Sequence, residues 1–413
     1  MATESMVATT SLSGVMWKTV SEACNLACDY CYYSRCNGRP DNIQVIEDDV
    51  LEKFIKEYMT LKRGVVPFVW QGGEPLLAGL NFFKKVVRLQ AKYAPKNTII
   101  SNSIQTNGTL ITEEWANFFR EYKFFVGVSV DGPESINDSR RVTGSGKGSY
   151  RTIMKGIDCL RAAGVEFNIL TVLHENNINH AKELMDFYKE HRFPYIQFIP
   201  CMDFLAQDIT QTGSYLITPK EYGDFLCKVF DIWYNNRYPE MSIRFFDNML
   251  AVYLNEQPQI CTNQKSCPKT LVFEQNGDAY PCDFFIDQQY KLGNIRTDSL
   301  EEILSHSNMD KFQAMKPLLP NSCKTCEFLK LCHGGCPRNR ITENNVTGVD
   351  YFCSSFKQVY RYAHDRMLEL AINIKRARMN ELKDSGYRFP ERNEQCLCGS
   401  GKKFKKCCGP LLV

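Results

Sequence analysis

The sequence lacks the features that would direct the chain to a membrane, to export or to nucleic acid. No segment reaches about 18 uninterrupted apolar residues, and residues 1–15 contain no basic region followed by an apolar stretch. The 50 Lys and Arg residues nearly balance the 47 Asp and Glu residues, so the net charge is only +3. Such a balance implies neither a nucleic-acid surface nor an acidic tail. We therefore expect a cytoplasmic protein that binds neither nucleic acid nor a membrane. We also expect a monomer.

Cysteine, by contrast, is abundant, with 19 residues in a chain of 413. In a chain of this length without an export signal, ligation of metal explains so many cysteines better than disulfides do. Scattered buried thiols are the alternative, and they account for the isolated Cys36, Cys159, Cys201 and Cys227. They do not account for the other fifteen cysteines, which occur in tightly spaced groups.

The region between residues 15 and 200 alternates β-rich runs with amphipathic helical patterns. The predicted strands are residues 15–20, 65–70, 99–105, 124–130, 167–173 and 195–199. The predicted helices between them are residues 48–61, 82–92, 112–120, 150–163 and 179–190. Six such repeats predict an α/β fold with a parallel sheet, curled into a partial (β/α)6 barrel, and an active site at the carboxyl ends of the strands.

Five regions are predicted along the chain. They are the α/β region (1–217), a helical bridge (218–255), a cysteine-rich domain (256–354), a long charged helix (355–388) and a miniature C-terminal unit (389–413). In the cysteine-rich domain the elements are short and irregular, so metal must take the place of an apolar core. The long helix has apolar residues at helical spacing, which predicts one buried face.

A triad of cysteines, Cys24-x3-Cys28-x2-Cys31, directly follows the first predicted strand. Three protein ligands leave one iron of a [4Fe-4S] cluster open. A zinc site completed by Cys36 is the alternative, but zinc sites usually pair their cysteines. The spacing resembles the CxxxCxxC signature of the radical S-adenosylmethionine (SAM) superfamily. That resemblance implies that SAM chelates the open iron, that its reductive cleavage gives a 5'-deoxyadenosyl radical, and that Tyr30 contacts this cofactor.

Further motifs at the strand ends resemble the SAM-contacting positions of the same superfamily. They are Gly72-Gly73-Glu74-Pro75 after the second strand, Asn107 after the third, Ser129 and Asp131 after the fourth, and Arg141. By that resemblance the glycine motif binds the SAM amine, Asn107, Ser129 and Asp131 are ribose- or carboxylate-contacting positions, and Arg141 pairs with the SAM carboxylate. Each residue could instead be an ordinary turn or cap, and that alternative stays open.

Eight cysteines follow in the cysteine-rich domain, which is enough to saturate two more [4Fe-4S] clusters. Their spacing resembles the SPASM domain of radical SAM enzymes that modify peptides and proteins, with a pair of zinc ribbons as the alternative. By that resemblance one set of four cysteines binds the nearer auxiliary cluster and the other set binds the farther one. The nearer set is Cys261, Cys267, Cys282 and Cys336, and the farther set is Cys323, Cys326, Cys332 and Cys353.

The segment Cys282-Asp283-Phe284-Phe285 and its surroundings resemble the anaerobic sulfatase-maturating enzymes within this group. The resemblance implies oxidation of Cys or Ser in a Cys/Ser-x-Ala/Pro-x-Arg segment of an unfolded sulfatase to Cα-formylglycine. It also implies that Asp283 is the base, that Tyr33 and Gln71 bind the target side chain, and that flavodoxin or ferredoxin donates the electron. Asp283 as a turn residue, and Tyr33 and Gln71 as packing or capping residues, are the alternatives.

The C-terminal segment resembles the SEC-C module, a small zinc-binding unit. Four thiolates in a CxC…CC array, Cys396, Cys398, Cys407 and Cys408, satisfy tetrahedral zinc. Stabilisation of the chain and docking of a protein partner are equally open as roles for this segment.

Two other functions compete with sulfatase maturation. A SPASM enzyme that forms a thioether, an epimer or a crosslink in a ribosomal peptide is one, although only 23 residues precede Cys24 and a leader-binding domain is therefore not expected. A catalytically silent iron-sulfur carrier is the other.

Overall fold

Strands and helices alternate through the first half of the chain, as the sequence predicts. The computed structural model describes residues 12–40, 42–202, 216–343 and 346–412. The strands of this half are β1 (Gly14–Lys18), β2 (Val65–Gln71), β3 (Ile99–Thr106), β4 (Phe125–Ser129), β5 (Phe167–Leu173) and β6 (Tyr195–Pro200). The helices are α1 (Asp48–Leu61), α2 (Leu80–Tyr93), α3 (Glu113–Glu121), α4 (Glu134–Asn137), α5 (Tyr150–Ala163) and α6 (Ala181–Glu190).

The second half contains shorter strands and more helices. The two helices of the predicted bridge are α7 (Pro219–Tyr234) and α8 (Arg244–Leu254), with β7 (Ser242–Ile243) before the second. The strands that follow are β8 (Thr270–Glu274), β9 (Asp278–Tyr280), β10 (Gly293–Asn294), β11 (Arg340–Glu343) and β12 (Val346–Asp350). The remaining helices are α9 (Leu300–Ser305), α10 (Ser307–Met315), α11 (Asn321–Lys324), α12 (Leu329–Cys332) and α13 (Cys353–Asp384).

Two compact units share the chain, and each is assembled from three segments. The described parts of residues 1–177, 199–216 and 267–315 form the first unit. The described parts of residues 178–198, 217–266 and 316–413 form the second unit. The predicted regions follow one another along the chain, whereas these units interleave.

One mixed sheet organises the first unit. Its strands lie in the order β10-β9-β8-β1-β2-β3-β4-β5. Strands β1 to β5 are parallel to their neighbours, and β8 pairs with β1 in parallel, with Lys18 opposite Glu274. Strands β9 and β10 are antiparallel. The cysteine-rich region therefore contributes three strands to the same sheet as the predicted barrel strands.

Aromatic packing holds the sheet of the first unit against α1. The Trp17 ring on β1 lies 4.7 Å from Phe54 of α1 and 5.0 Å from Phe273 of β8, measured between ring centroids. Phe54 in turn stacks on Tyr58 at 5.8 Å, and these side chains are buried. Because these rings are fixed, the carboxyl end of β1 holds a defined position beside β8.

The second unit is mainly helical, and α13 is its longest element. Helix α7 begins with a capping box between Thr218 and Glu221. Helix α13 packs against α7 and α8 and begins at Cys353, two residues before the predicted start. None of the helices in the described ranges has both the length and the apolar character needed to traverse a bilayer.

Candidate active site

The cysteine triad lies on the loop after β1, in a mostly apolar setting. Cys24 and Cys28 are 9% exposed and pack with Leu26, Tyr30 and Cys201. Burial raises the pKa of the Cys28 thiol to about 12 and raises that of Cys24 well above its usual range. Thiols in such a setting lose their protons readily only when a bound cation takes the place of the protons. The donor set therefore fits an iron-sulfur cluster.

A fourth cysteine of this loop supports the backbone of the triad. Cys36 Sγ accepts a hydrogen bond from Cys24 N at 3.2 Å and donates one to Cys24 O at 3.0 Å. The Cys36 thiol therefore holds both backbone polar groups of Cys24, a predicted cluster ligand. The sequence interpretation left Cys36 as an ordinary thiol and did not include this role.

The Gly72-Gly73 pair follows β2 and packs against the loop that carries the triad. Gly73 has φ +50°, and a Cβ there would lie 2.0 Å from Ala23 O. Glu74 N also donates to Ala23 O at 2.8 Å. Glycine is therefore required at position 73 by packing within the protein, because Gly73 touches Ala23, the residue just before Cys24.

Glu74 connects the end of β2 to the end of β3. Its side chain is fully buried and accepts hydrogen bonds from Thr106 Oγ1 and Asn107 N, both at 2.7 Å. Burial raises the pKa of Glu74 to about 7. Asn107 Nδ2 donates to Asn25 Oδ1 at 2.8 Å and lies 3.8 Å from Cys24 Sγ. Glu74 and Asn107 thus form one buried set beside the triad.

A second buried set contains three of the predicted SAM contacts. Tyr30 Oη donates to Asp131 and accepts from Arg141 Nη1 at 2.7 Å. The His174 ring stacks on Tyr30 at 5.7 Å. Within the described ranges, Arg141 Nε and His174 Nε2 are buried without a hydrogen-bond partner. Buried nitrogens without a partner are costly unless a ligand binds them, so this set fits the polar groups of SAM.

Ser129 lies at the end of β4 and is held by a side chain from β3. Gln105 Nε2 donates to Ser129 Oγ at 3.0 Å. Two residues later, Asp131 Oδ1 accepts from Val172 N at 3.0 Å. The polar residues after β4 are therefore positioned by the neighbouring strands β3 and β5.

Asp283 lies in a hydrogen-bonded set at the carboxyl end of β1. Its Oδ2 accepts a hydrogen bond from Tyr32 Oη at 3.0 Å and lies 3.9 Å from Lys18 Nζ. Its Oδ1 lies 3.6 Å from Cys282 Sγ. The Asp283 side chain is 18% exposed, so the carboxylate is reachable while its partners hold it in place.

Tyr33 and Gln71 lie beside this carboxylate but contact other groups. Tyr33 Oη donates to Glu274 at 2.8 Å, and burial raises the pKa of both groups. Gln71 Nε2 donates to Tyr32 Oη at 3.3 Å. The structure thus brings Asp283 and Gln71 together through Tyr32, while Tyr33 is tied to Glu274.

Lys18, Tyr32 and Glu274 are members of this site that the sequence interpretation missed. Lys18 is fully buried, and its Nζ lies 4.3 Å above the Tyr33 ring. Burial lowers the pKa of Lys18, and the charges of Asp283 and Glu274 oppose that effect. The sequence contained one signal for Lys18: it is a lysine at the end of an otherwise apolar strand, Gly-Val-Met-Trp-Lys.

The farther set of SPASM cysteines lies in the second unit, around the start of α13. Burial raises the pKa of Cys353, and the nearby Cys323 and Cys326 add to the effect. Burial likewise raises the pKa of Cys332 to about 12, and Cys353 adds to it. These thiols are near enough to influence one another, and their donor set fits a cluster.

Two buried cations tie the backbone of this cysteine-rich segment together. Lys316 Nζ donates to Gly335 O at 2.5 Å and to Thr262 O at 3.0 Å. Arg340 donates to Gly334 O at 3.0 Å and to Leu318 O at 2.8 Å. Side-chain bonds to backbone carbonyls therefore help to order these loops.

The four tail cysteines converge. Cys396, Cys398, Cys407 and Cys408 have all four Sγ atoms within 4.8 Å of one another. Tetrahedral zinc with Zn–S bonds of about 2.3 Å places its sulfurs about 3.8 Å apart. Burial acts to raise the pKa of Cys398, but hydrogen bonds from Ser400 and Cys407 outweigh it and lower the pKa to about 6. The donor set fits zinc.

Three known families match separate parts of the chain. Residues 19–188 match the radical SAM superfamily, residues 261–327 match an iron-sulfur cluster-binding domain, SPASM, and residues 392–410 match the SEC-C motif.

Similar proteins are sulfatase-maturating enzymes. A serine-type anaerobic sulfatase-maturating enzyme of Bacteroides thetaiotaomicron is 40% identical over 369 residues, which cover 84% of this chain and 88% of that protein. A cysteine-type enzyme of Clostridium perfringens is 37% identical over 363 residues, covering 87% and 98%. A solved structure of native anSMEcpe with bound AdoMet (SAM) and Cp18Cys peptide superposes with a TM-score of 0.81 at 36% identity, covering 88% and 99%. The chain belongs to the anaerobic sulfatase-maturating enzymes of the radical SAM superfamily.

Proposed function

We propose that this protein oxidises a Cys or Ser side chain in a Cys/Ser-x-Ala/Pro-x-Arg segment of a sulfatase polypeptide to Cα-formylglycine. The observation that carries the proposal is the position of Asp283, a reachable carboxylate held by Tyr32 and lying 3.6 Å from Cys282 Sγ. Similarity to both serine-type and cysteine-type enzymes supports it. Peptide crosslinking or epimerisation is the less favoured alternative.

Oxidation of the target side chain removes two hydrogens in the form of a hydrogen atom, a proton and an electron. A cysteine target loses one hydrogen atom from Cβ, one proton from sulfur and one electron, which leaves a thioaldehyde; water then replaces the sulfur and hydrogen sulfide leaves. A serine target gives the aldehyde directly. When bound, SAM and its [4Fe-4S] cluster supply the radical that accepts the hydrogen atom. The chain itself must supply the proton acceptor, and the nearer auxiliary cluster, when held by Cys282 and the rest of its proposed set, would accept the electron.

Asp283 is the proposed proton acceptor, and Tyr33 and Gln71 are proposed to hold the target. The proton of Tyr33 Oη is donated to Glu274, so toward the substrate this hydroxyl can only accept a hydrogen bond. A thiol or hydroxyl that donates to Tyr33 is thereby oriented in the site before its proton passes to Asp283. Gln71 contributes an amide from the end of β2.

The cofactor assignments extend this proposal. Three [4Fe-4S] clusters and one zinc ion are expected, with the ligand sets that the resemblance implies. The buried sets around Glu74 and Arg141 are proposed to bind SAM. Flavodoxin or ferredoxin is the proposed electron donor, and the chain is proposed to act as a monomer on an unfolded sulfatase segment.

A direct assay tests the function. Anaerobically reconstituted protein is incubated with SAM, dithionite and a peptide that carries Cys-x-Pro-x-Arg, and a Ser version and an Ala version of the same peptide run beside it. We expect 5'-deoxyadenosine together with an aldehyde that a hydrazide probe captures from the Cys or Ser peptide only. A crosslinked or epimerised peptide would support the alternative, and absence of deoxyadenosine would support a silent carrier.

A further inference from the structure

Tyr32 joins the groups of the candidate site into one hydrogen-bonded set. Its hydroxyl lies 3.4 Å from Lys18 Nζ, 3.3 Å from Gln71 Nε2 and 3.0 Å from Asp283 Oδ2. The first two distances are at the long end of hydrogen bonding, and the third is ordinary. The contact with Asp283 spans 251 positions of sequence.

The donors around Tyr32 fix the direction of its hydroxyl. An ammonium group only donates hydrogen bonds, and so does the nitrogen of a side-chain amide. Lys18 and Gln71 therefore occupy the acceptor side of the Tyr32 oxygen. A phenol carries a single proton, and Asp283 Oδ2 accepts a hydrogen bond from it at 3.0 Å. The Tyr32 proton is consequently directed at the carboxylate.

The Tyr32 ring is itself held in place. It packs against Phe284 at 5.0 Å and against Tyr33 at 6.2 Å between centroids. Lys18, one of its hydrogen-bond partners, is fully buried and cannot move away without losing its charged neighbours. The hydroxyl therefore presents its proton from one fixed point.

We propose that Tyr32 is a positioning residue: its hydroxyl, oriented by Lys18 and Gln71, holds Asp283 Oδ2 and so fixes the rotation of the carboxylate beside the substrate. The inference rests on the proposed function, in which Asp283 takes the target proton. Without the Tyr32 hydroxyl the Asp283 carboxylate can rotate about Cβ–Cγ, and Oδ1 and Oδ2 can then exchange positions.

Tyr32→Phe is the first test, because it removes the hydroxyl and keeps the ring. We expect normal iron content, normal deoxyadenosine formation without peptide, and a peptide KM within about twofold of wild type. The kcat for formylglycine should fall about tenfold, since a hydrogen bond to a charged group is lost. The number of deoxyadenosine molecules per aldehyde should rise, because radical formation does not need the carboxylate.

Tyr58→Phe is the matched control. Tyr58 is a buried tyrosine of the first unit, and its hydroxyl donates to Pro67 O at 2.9 Å, away from the site. This variant also loses one hydrogen-bonded tyrosine hydroxyl, so it should lower stability while the deoxyadenosine-to-aldehyde ratio stays that of wild type. An equal rise of the ratio in both variants would overturn the inference, because a general structural effect would then explain Tyr32→Phe.

A double-mutant cycle asks whether Tyr32 acts through Asp283. In the Asp283→Asn background, Tyr32→Phe should lower formylglycine less than about twofold further, because the partner that it positions is gone. A further tenfold loss of formylglycine would overturn the inference. A wild-type rate of formylglycine formation by Tyr32→Phe, beside an inactive Asp283→Asn, would also overturn it. Both results would leave the proposed function intact. Failure of the wild-type protein to form formylglycine would overturn both.

Discussion

At the scale of single residues, the candidate site is a balance of buried charges. Lys18 is fully buried between two carboxylates, Asp283 and Glu274, and their charges oppose the effect of burial on its pKa. One cation thus offsets one of the two anions. A negative balance disfavours a free thiolate or alkoxide on the substrate, so the target must pass its proton to an acceptor within the site.

Replacement of Asp283 by Asn tests the assignment of the base. Asn keeps the size of the side chain but cannot take the proton, so formylglycine should fall by a factor of about a hundred or more. Deoxyadenosine should still form, because the cysteine triad lies on another loop. Peptide mass spectrometry and chromatography of deoxyadenosine measure the two products, and aldehyde at nearly the native rate would make Asp283 a structural residue.

Residues of this site differ in how far the sequence could predict them. Asp283 is adjacent to a cysteine of a recognisable motif, so its candidacy needs no knowledge of the fold. Tyr32 and Lys18 meet it only because β1 pairs with β8, and that pairing brings together positions 251 residues apart. The glycine motif at 72–73 is visible in the sequence, but the contact of position 73 with Ala23 O depends on the packing of two loops.

At the scale of elements, local periodicity predicted the helices and strands well. Helices over residues 48–61 and 150–163 match α1 and α5, because buried faces at helical spacing are visible in a short window. The union of β8, β9 and β10 with β1 was not predicted. Strand pairing depends on partners far away in sequence, and the cysteine spacing instead suggested a separate domain.

Deletion of residues 393–413 tests the tail as an element. The zinc unit and its contacts with Met379 and Phe389 would be lost, and peptide oxidation in vitro should stay nearly unchanged because the candidate site lies in the first unit. Elemental analysis should show loss of zinc with iron retained. A Cys396→Ser, Cys398→Ser variant serves as the control that keeps the chain length, and loss of iron in either protein would mean that the tail thiols bind a cluster.

At the scale of the whole molecule, metal content tests the three clusters together. Reconstituted protein should contain about twelve irons, four for each [4Fe-4S] cluster. Replacing Cys24, Cys28 and Cys31 by Ala should leave about eight irons and abolish SAM cleavage, because the two saturated sets keep all their ligands. Iron analysis with deoxyadenosine measurement gives both values, and deoxyadenosine from the triple variant would contradict the assignment.

Helix α13 runs without interruption from Cys353, a proposed cluster ligand, to Asp384. Met379, near its end, packs against Cys396 and Cys408 of the tail. At 1.5 Å per residue, Cys353 and Met379 are separated by about 39 Å along the helix axis. Zinc has no redox chemistry of its own, so zinc bound at this end of the helix would neither store nor pass an electron. The helix would instead set the distance between two metal sites: cobalt in place of zinc would give a magnetic reference point at a fixed distance from iron.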